Sequence, residues 1–232
     1  MAKVIILTGA GISAESGLRT FRDMDGYWNE HKIKDVCSAG ALAKNREKVL
    51  DFYDERRTEL KNIEPNKVHK VIAQLKDTYT DDIAIITQNV DDLFERANCN
   101  EVIHLHGFLS SIRCRKCNYK EDIAYQEQNR SHRCPKCKNT LRPDIVFFNE
   151  AAPMYRKLYM HLNSCEMLVV IGTSGNVIDV DDLLNNKIKL TILNNLEPST
   201  AIDDKLYNKV LYKKATEAIE EIALDIEKFL AL

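Results

Sequence analysis

No apolar run in this 232-residue chain approaches the ~18 residues a membrane-spanning helix needs. Charge of one sign is also lacking. Lysine and arginine total 33 against 35 acidic residues, a net charge of −2, which gives no general drive toward nucleic acid or an anionic membrane. There is no internal repeat and no low-complexity stretch. A secretory leader is not expected either, because Met1-Ala2-Lys3 runs directly into the apolar Val4 to Leu7. The seven cysteines are an odd number, which without such a leader fits a reducing, cytoplasmic setting better than a disulfide framework. What remains is 44% hydrophobic and 29% charged, enough for one good core and a small second module.

Four of the cysteines form two Cys-x-x-Cys pairs, Cys114/Cys117 and Cys134/Cys137, sixteen residues apart. Each pair presents two thiolates, and together they complete the tetrahedral set that a closed, structural Zn2+ site requires. Disulfides or unconnected thiols are the alternatives. Seven cationic side chains crowd the pairs, among them Arg113, Arg130 and Lys138, and could offset the charge of a four-thiolate zinc. Cys37, Cys99 and Cys165 are left as small buried hydrophobes.

Short apolar runs alternate with helical periodicity. Strands are expected at residues 3–8, 82–87, 102–105, 168–172, 189–193 and 209–211, and helices at 43–62, 65–76, from 91, and at 216–230. That alternation predicts an α/β fold with a Rossmann-like parallel sheet and helices on both faces. Residues 108–142 break the pattern as a polar, basic, cysteine-bearing insertion. The main α/β domain is therefore expected at 1–107 and 143–232, with a helical part of the small domain drawn from about 30–80.

Gly9-Ala10-Gly11-Ile12-Ser13-Ala14 follows the first strand as G-x-G-x-x-A, the pattern of a dinucleotide phosphate turn or simply of a structural glycine turn. No convincing strand ending in an acidic residue follows within residues 15–62, unlike an ordinary Rossmann dehydrogenase. Gly172-Thr173-Ser174-Gly175 also leaves a strand, and Glu197 follows a late one. Thr87-Gln88-Asn89-Val90-Asp91 puts amides and a carboxylate at a strand end, where α/β ligands bind, or forms an Asx cap. His104 and His106 stand two apart, on one face if the strand continues. A histidine there can serve as a general base near neutral pH.

These motifs occur in the order found in sirtuins, NAD-dependent protein-lysine deacylases, and the resemblance spans about residues 4–230. Its segments are Gly9 to Arg22, Thr87 to Leu93, His104 to Gly107, the two cysteine pairs, Arg142 to Glu150, Gly172 to Gly175 and Asn195 to Pro198. The resemblance implies that Gly9, Ala10, Gly11, Ile12, Ser13, Ala14, Thr20, Phe21 and Arg22 line the NAD site. It places Gln88, Asn89, Val90 and Asp91 around the nicotinamide and its ribose. Gly172, Thr173, Ser174, Asn195, Leu196, Glu197 and Ala215 fall on the adenosine side. Catalysis falls to His106 and Asn89: the acyl oxygen displaces nicotinamide at C1′ of the ribose, His106 acts as base on a ribose hydroxyl that takes up the acyl carbon, and water completes the release of lysine and O-acyl-ADP-ribose. Val146, Phe147 and Phe148 are expected to pair as a strand with an acylated-lysine peptide.

Two departures from the family pattern stand out. Phe94-Glu95-Arg96-Ala97-Asn98 replaces the usual His-Glu-Arg-Ala-Gly. Tyr53 and Arg56 share a helix face at i, i+3 and resemble the Tyr-x-x-Arg pair of the subclass that removes succinyl and malonyl groups. A guanidinium fork with a phenol suits a carboxylate, although pairing of Arg56 with Glu55 or Glu59 would also explain it. Cys37 stands where that subclass has a small alanine. A mono-ADP-ribosyltransferase using the same NAD site is the alternative activity. A zinc-dependent nucleic-acid binder fits poorly with the net charge, and neither a membrane nor a specific nucleic-acid partner is expected.

Overall fold

Val4, Ile6, Ile5 and Leu7 are all fully buried, and they divide between two cores. That division is what a strand covered on both faces produces. The computed structural model describes residues 2–18, 27–28 and 31–231. In chain order its strands are β1 (Val4–Thr8), β2 (Tyr27–Trp28), β3 (His31–Lys32), β4 (Ile83–Thr87), β5 (Ile103–His104), β6 (Gly107–Cys114), β7 (Lys120–Asp122), β8 (Leu141–Ile145), β9 (Met167–Ile171), β10 (Leu190–Asn195) and β11 (Lys209–Tyr212). The helices are α1 (Gly11–Ala14), α2 (Ile33–Val36), α3 (Ala39–Lys44), α4 (Arg46–Leu60), α5 (Lys67–Thr78), α6 (Leu93–Arg96), α7 (Tyr155–Leu162) and α8 (Ala215–Leu230).

Six strands form the main sheet, ordered β11-β10-β9-β1-β4-β5 and parallel throughout. On one face, Ile72 of α5 and Ile219, Ile222 and Ile226 of α8 pack over Val4, Ile6 and Val169. On the other, Leu158 and Leu162 of α7 cover Ile5, Leu7 and Val170. The chain moves outward from β1 through β4 to β5, then returns to β9 and moves the opposite way. The strand order therefore reverses between β1 and β9, and the crevice at their C-terminal ends is where open α/β sheets bind ligands.

A smaller antiparallel sheet, β7-β6-β8, carries the cysteines. Its own core is little more than Ile112, Leu141 and the buried Cys114 and Cys134. Helices α2 to α4 make a third cluster, in which Phe52 and Tyr53 meet Leu109 of β6 and Ile145 and Phe147. A buried ionic network joins α4 to the cysteine module. Arg57, with no exposed side-chain surface, pairs with Asp54 and donates to the carbonyls of Gln126 (3.0 Å) and Leu109 (3.2 Å). Arg130 reaches back to Asp54 (2.6 Å), Asp51 and Glu47. Arg113 pairs with Asp144 and Glu150. Both arginines thus serve carboxylates of the protein itself.

Some boundaries also differ from expectation. One helix was expected over 43–62, but Asn45 divides it: its side chain accepts from the Lys48 amide (3.3 Å) and starts α4 afresh. His106 lies beyond the two-residue β5, so it does not share a strand face with His104.

Candidate active site

The two glycine turns meet at the crevice. A Cβ on Gly9 would lie 2.7 Å from the Gly172 carbonyl oxygen, and one on Gly11 would lie 2.7 Å from the Gly172 Cα. Gly172 itself has φ +66°, and a Cβ there would lie 2.8 Å from the Ile12 nitrogen. The Gly11 amide donates to the Gly172 carbonyl at 2.8 Å. Two loops so close leave no room for side chains, so backbone lines the floor of the crevice. Ile12 is buried in the core below, while Ala10 and Ala14 are partly exposed.

The β4 end completes one wall. Gln88 donates its amide to the Thr173 hydroxyl (3.0 Å), bridging the β4 and β9 loops. Asn89 donates to the Ser13 hydroxyl (3.0 Å), which donates in turn to Asp91 (2.9 Å). Burial pushes the Asp91 carboxyl up to about 6 from 3.8, and the Ser13 and Leu93 hydrogen bonds only partly oppose it. Val90 packs toward the third core cluster, and its carbonyl accepts from the Leu109 amide (2.8 Å). On the far side, Asn195 is buried and its side-chain nitrogen has no partner among the described residues. Leu196 and Glu197 are exposed beyond it, and Ala215 is buried at the start of α8. Ser174 accepts from the Ser199 hydroxyl at 2.6 Å through its carbonyl. Thr20, Phe21 and Arg22 lie outside the described residues.

The two histidines have opposite electrostatics. His104 donates from Nδ1 to the Asn89 carbonyl (2.9 Å) and meets Glu95 through Nε2 (2.9 Å). Burial would lower its pKa, but the Glu95 carboxylate and the Asn89 carbonyl outweigh that and raise it. His106 donates from Nδ1 to the Gln88 carbonyl (3.0 Å) and meets the Tyr155 hydroxyl through Nε2 (3.0 Å). Burial holds it below the ordinary 6.5, against the pull of the Gln88 carbonyl. Such a divergence separates a structural ion-paired histidine from one kept neutral and able to accept a proton. Tyr155 was not anticipated from sequence, because only the packing of α7 brings it here.

Tyr53 is 2% exposed; it stacks on Phe147 (5.7 Å between centroids), and its hydroxyl meets the Cys37 sulfur at 3.5 Å. Arg56 is 4% exposed and bonds Glu59 at 2.5 Å, one of the two pairings foreseen as the alternative to a ligand role. The backbone amides of residues 146–148, the segment expected to pair with a peptide, have partners within the protein. The Val146 amide donates to the His106 carbonyl (2.8 Å), Phe147 to Glu150 (3.1 Å) and Phe148 to the Cys37 carbonyl (2.8 Å). The Phe148 side chain is 46% exposed.

The four sulfurs of Cys114, Cys117, Cys134 and Cys137 lie within 4.8 Å of one another. Three of the separations are 3.4, 3.5 and 3.6 Å. Zinc–thiolate bonds of ~2.3 Å in a tetrahedron require sulfurs ~3.8 Å apart, so the cluster is positioned to hold a structural metal ion.

Comparison with known proteins agrees with this arrangement. Residues 9–179 match the profile of the Sir2 family. The chain belongs to that family. It is 48% identical over 231 residues to an NAD-dependent protein deacylase of Campylobacter jejuni (strain RM1221), covering 99% of this chain and 98% of the relative. A Helicobacter hepaticus protein of the same description is 41% identical over 253 residues, covering 99% of each. Among solved structures, a mutant Sir2 homologue in complex with ADP-ribose superposes with a TM-score of 0.85 at 33% identity, covering 99% and 93% of the two chains. A Sir2 homologue–NAD complex gives 0.84 at 32% identity, covering 98% and 90%. This sirtuin also has no helix among the described residues long and apolar enough to cross a membrane.

Proposed function

We propose that this sirtuin is an NAD-dependent protein deacylase that removes acyl groups from lysine side chains and accepts succinyl and malonyl groups as well as acetyl. The observation that carries the deacylase reading is His106. It is a half-buried imidazole, its pKa held below 6.5 by burial, with its proton fixed on Nδ1 by the Gln88 carbonyl and its Nε2 left as an acceptor. The glycine floor and the partnerless buried Asn195 amide suit NAD, which would rest on Gly9, Gly11, Gly172 and Thr173 with its adenosine half toward Asn195 and Glu197. When bound, NAD supplies the ribose carbon that accepts the acyl oxygen as nicotinamide departs. Asn89, Ser13 and Asp91, hydrogen-bonded in series, hold the polar wall beside it. His106 then takes a proton from a ribose hydroxyl at Nε2.

The division into an NAD domain at 1–107 and 143–232 and a cysteine module at 108–142 belongs to the same proposal. The acidic-acyl preference rests on Tyr53, which shares a cluster with Cys37 and Phe147, and on Arg56, whose charge is felt at Cys37; both side chains are nearly buried. The carboxylate of a succinyl group would share the Arg56 guanidinium with Glu59. Replacement of His106 by Ala tests the deacylase reading. Turnover is expected to fall below a few per cent with thermal stability and zinc content unchanged; retention of substantial activity would remove His106 from the mechanism.

A further inference from the structure

We propose that Tyr155 occupies the proton-accepting nitrogen of His106 in the free enzyme, standing in for the substrate ribose hydroxyl, and that this hydroxyl replaces it on binding. The inference rests on the reading of His106 as the base and adds a positioning residue to it.

The hydrogen-bond roles are fixed by chemistry. The Gln88 carbonyl can only accept, so the Nδ1 atom 3.0 Å from it carries the imidazole proton. A neutral imidazole then has a lone pair at Nε2, and the Tyr155 hydroxyl at 3.0 Å must donate to it. Burial and the neighbouring Tyr159 push the Tyr155 phenol up to about 12, so it remains a donor throughout the working range. The rings lie 5.9 Å apart and tilted by 33°, so the contact is made at the hydroxyl and not by stacking.

General-base action requires the ribose hydroxyl to donate to that same lone pair. One lone pair on an imidazole nitrogen accepts one good hydrogen bond, so phenol and ribose hydroxyl are alternatives. Tyr155 can withdraw at modest cost. It is the first residue of α7 and only half-buried, and Leu158 and Leu162, on the same helix face, keep α7 on the core when the hydroxyl turns away. In the free enzyme the phenol supplies the partner that the half-buried nitrogen would otherwise lack. It thereby keeps the imidazole neutral and oriented for the incoming hydroxyl. Among the described residues, the groups that face His106 are the Gln88 carbonyl beyond β4 and Tyr155 on α7, with Tyr159 the next titratable group along that helix.

The test is a histidine-ring NMR titration of the full chain, with the His106 signal assigned by its loss in His106→Asn. A donor to Nε2 stabilises the neutral ring and lowers its pKa. Tyr155→Phe keeps the ring but removes the donor, so the His106 pKa in the free protein is expected to rise by about 0.4–1 unit, the equivalent of one ordinary hydrogen bond. With saturating ADP-ribose, wild type and Tyr155→Phe are expected to titrate together, since the ribose hydroxyl then fills the position in both. No difference between the free proteins would overturn the proposal. So would a difference that persists with ADP-ribose bound, because the phenol would then stay on the base. A thermal melt confirms that the variant is folded, and Tyr155→Leu serves as a second variant lacking the hydroxyl. The separate His106→Ala activity assay distinguishes failure of the base assignment from failure of this inference.

Discussion

Replacing Arg56 by Met is expected to separate acidic from neutral acyl groups. In the structure, Arg56 is 4% exposed, pairs with the half-exposed Glu59 and lies 5.4 Å from the Phe52 ring. Methionine keeps most of the stem volume against Phe52, and Glu59, at 46% exposed, keeps its access to water. The cost to the fold is therefore small, and the main loss is a charged donor for the acyl carboxylate. A hydrogen bond to a charged group contributes about 1.5–3 kcal/mol, which corresponds to about tenfold to over a hundredfold in kcat/KM on succinyl-lysine peptide. Acetyl-lysine has no carboxylate, so its kcat/KM should stay within about twofold or rise. Glu59→Gln should act in the opposite direction on the succinyl substrate, because it removes the carboxylate that competes for the guanidinium. Each variant is assayed on matched acetyl and succinyl peptides, so a folding defect would appear as an equal loss on both. Equal losses for Arg56→Met would mean that the arginine serves only the helix, and the acidic-acyl reading would fail with it.

Cys137→Ser, or prolonged chelation, should release zinc and unfold the β6–β8 module, whose apolar core is too small to hold alone. Loss of the metal with an unchanged melting profile would refute that dependence. Asp91→Asn should stabilise the fold at pH 7 while impairing turnover. A buried carboxyl raised from 3.8 to about 6 contributes stability that is complete below pH 3.8 and lost as pH rises through 6. Removing the charge should therefore add up to about 3 kcal/mol at pH 7 and almost nothing at pH 4. A lower melting temperature than wild type at pH 7 would contradict the assignment.

Much of the fold was legible because β1, β4 and β9 are buried on both faces and so read as unbroken apolar runs. The cysteine spacing and the glycine turns were also legible, since metal geometry and close backbone approach restrict which residues can stand there. The β7-β6-β8 sheet was not. Gly107–Cys114 mixes Ser110, Ser111 and Arg113 with apolar residues around a bulge between Phe108 and Ile112, which blurs the period of two. Helix α7 escaped notice because only Leu158 and Leu162 of its eight residues are buried; the i, i+4 pair was the available signal. The contacts of Tyr155 with His106 and of Glu59 with Arg56 differ in kind. The second lies within one helix turn and could be foreseen, whereas the first joins residues 49 apart through tertiary packing.

Product analysis tests the central claim most directly. The protein is incubated with NAD and acetyl-, malonyl- and succinyl-lysine peptides, and the mixture is examined by mass spectrometry. The account expects free lysine peptide, nicotinamide and O-acyl-ADP-ribose in equal amounts, with the malonyl and succinyl peptides consumed as well as the acetyl peptide. Consumption of NAD with ADP-ribose attached to protein and the acyl-lysine peptides left intact would contradict it.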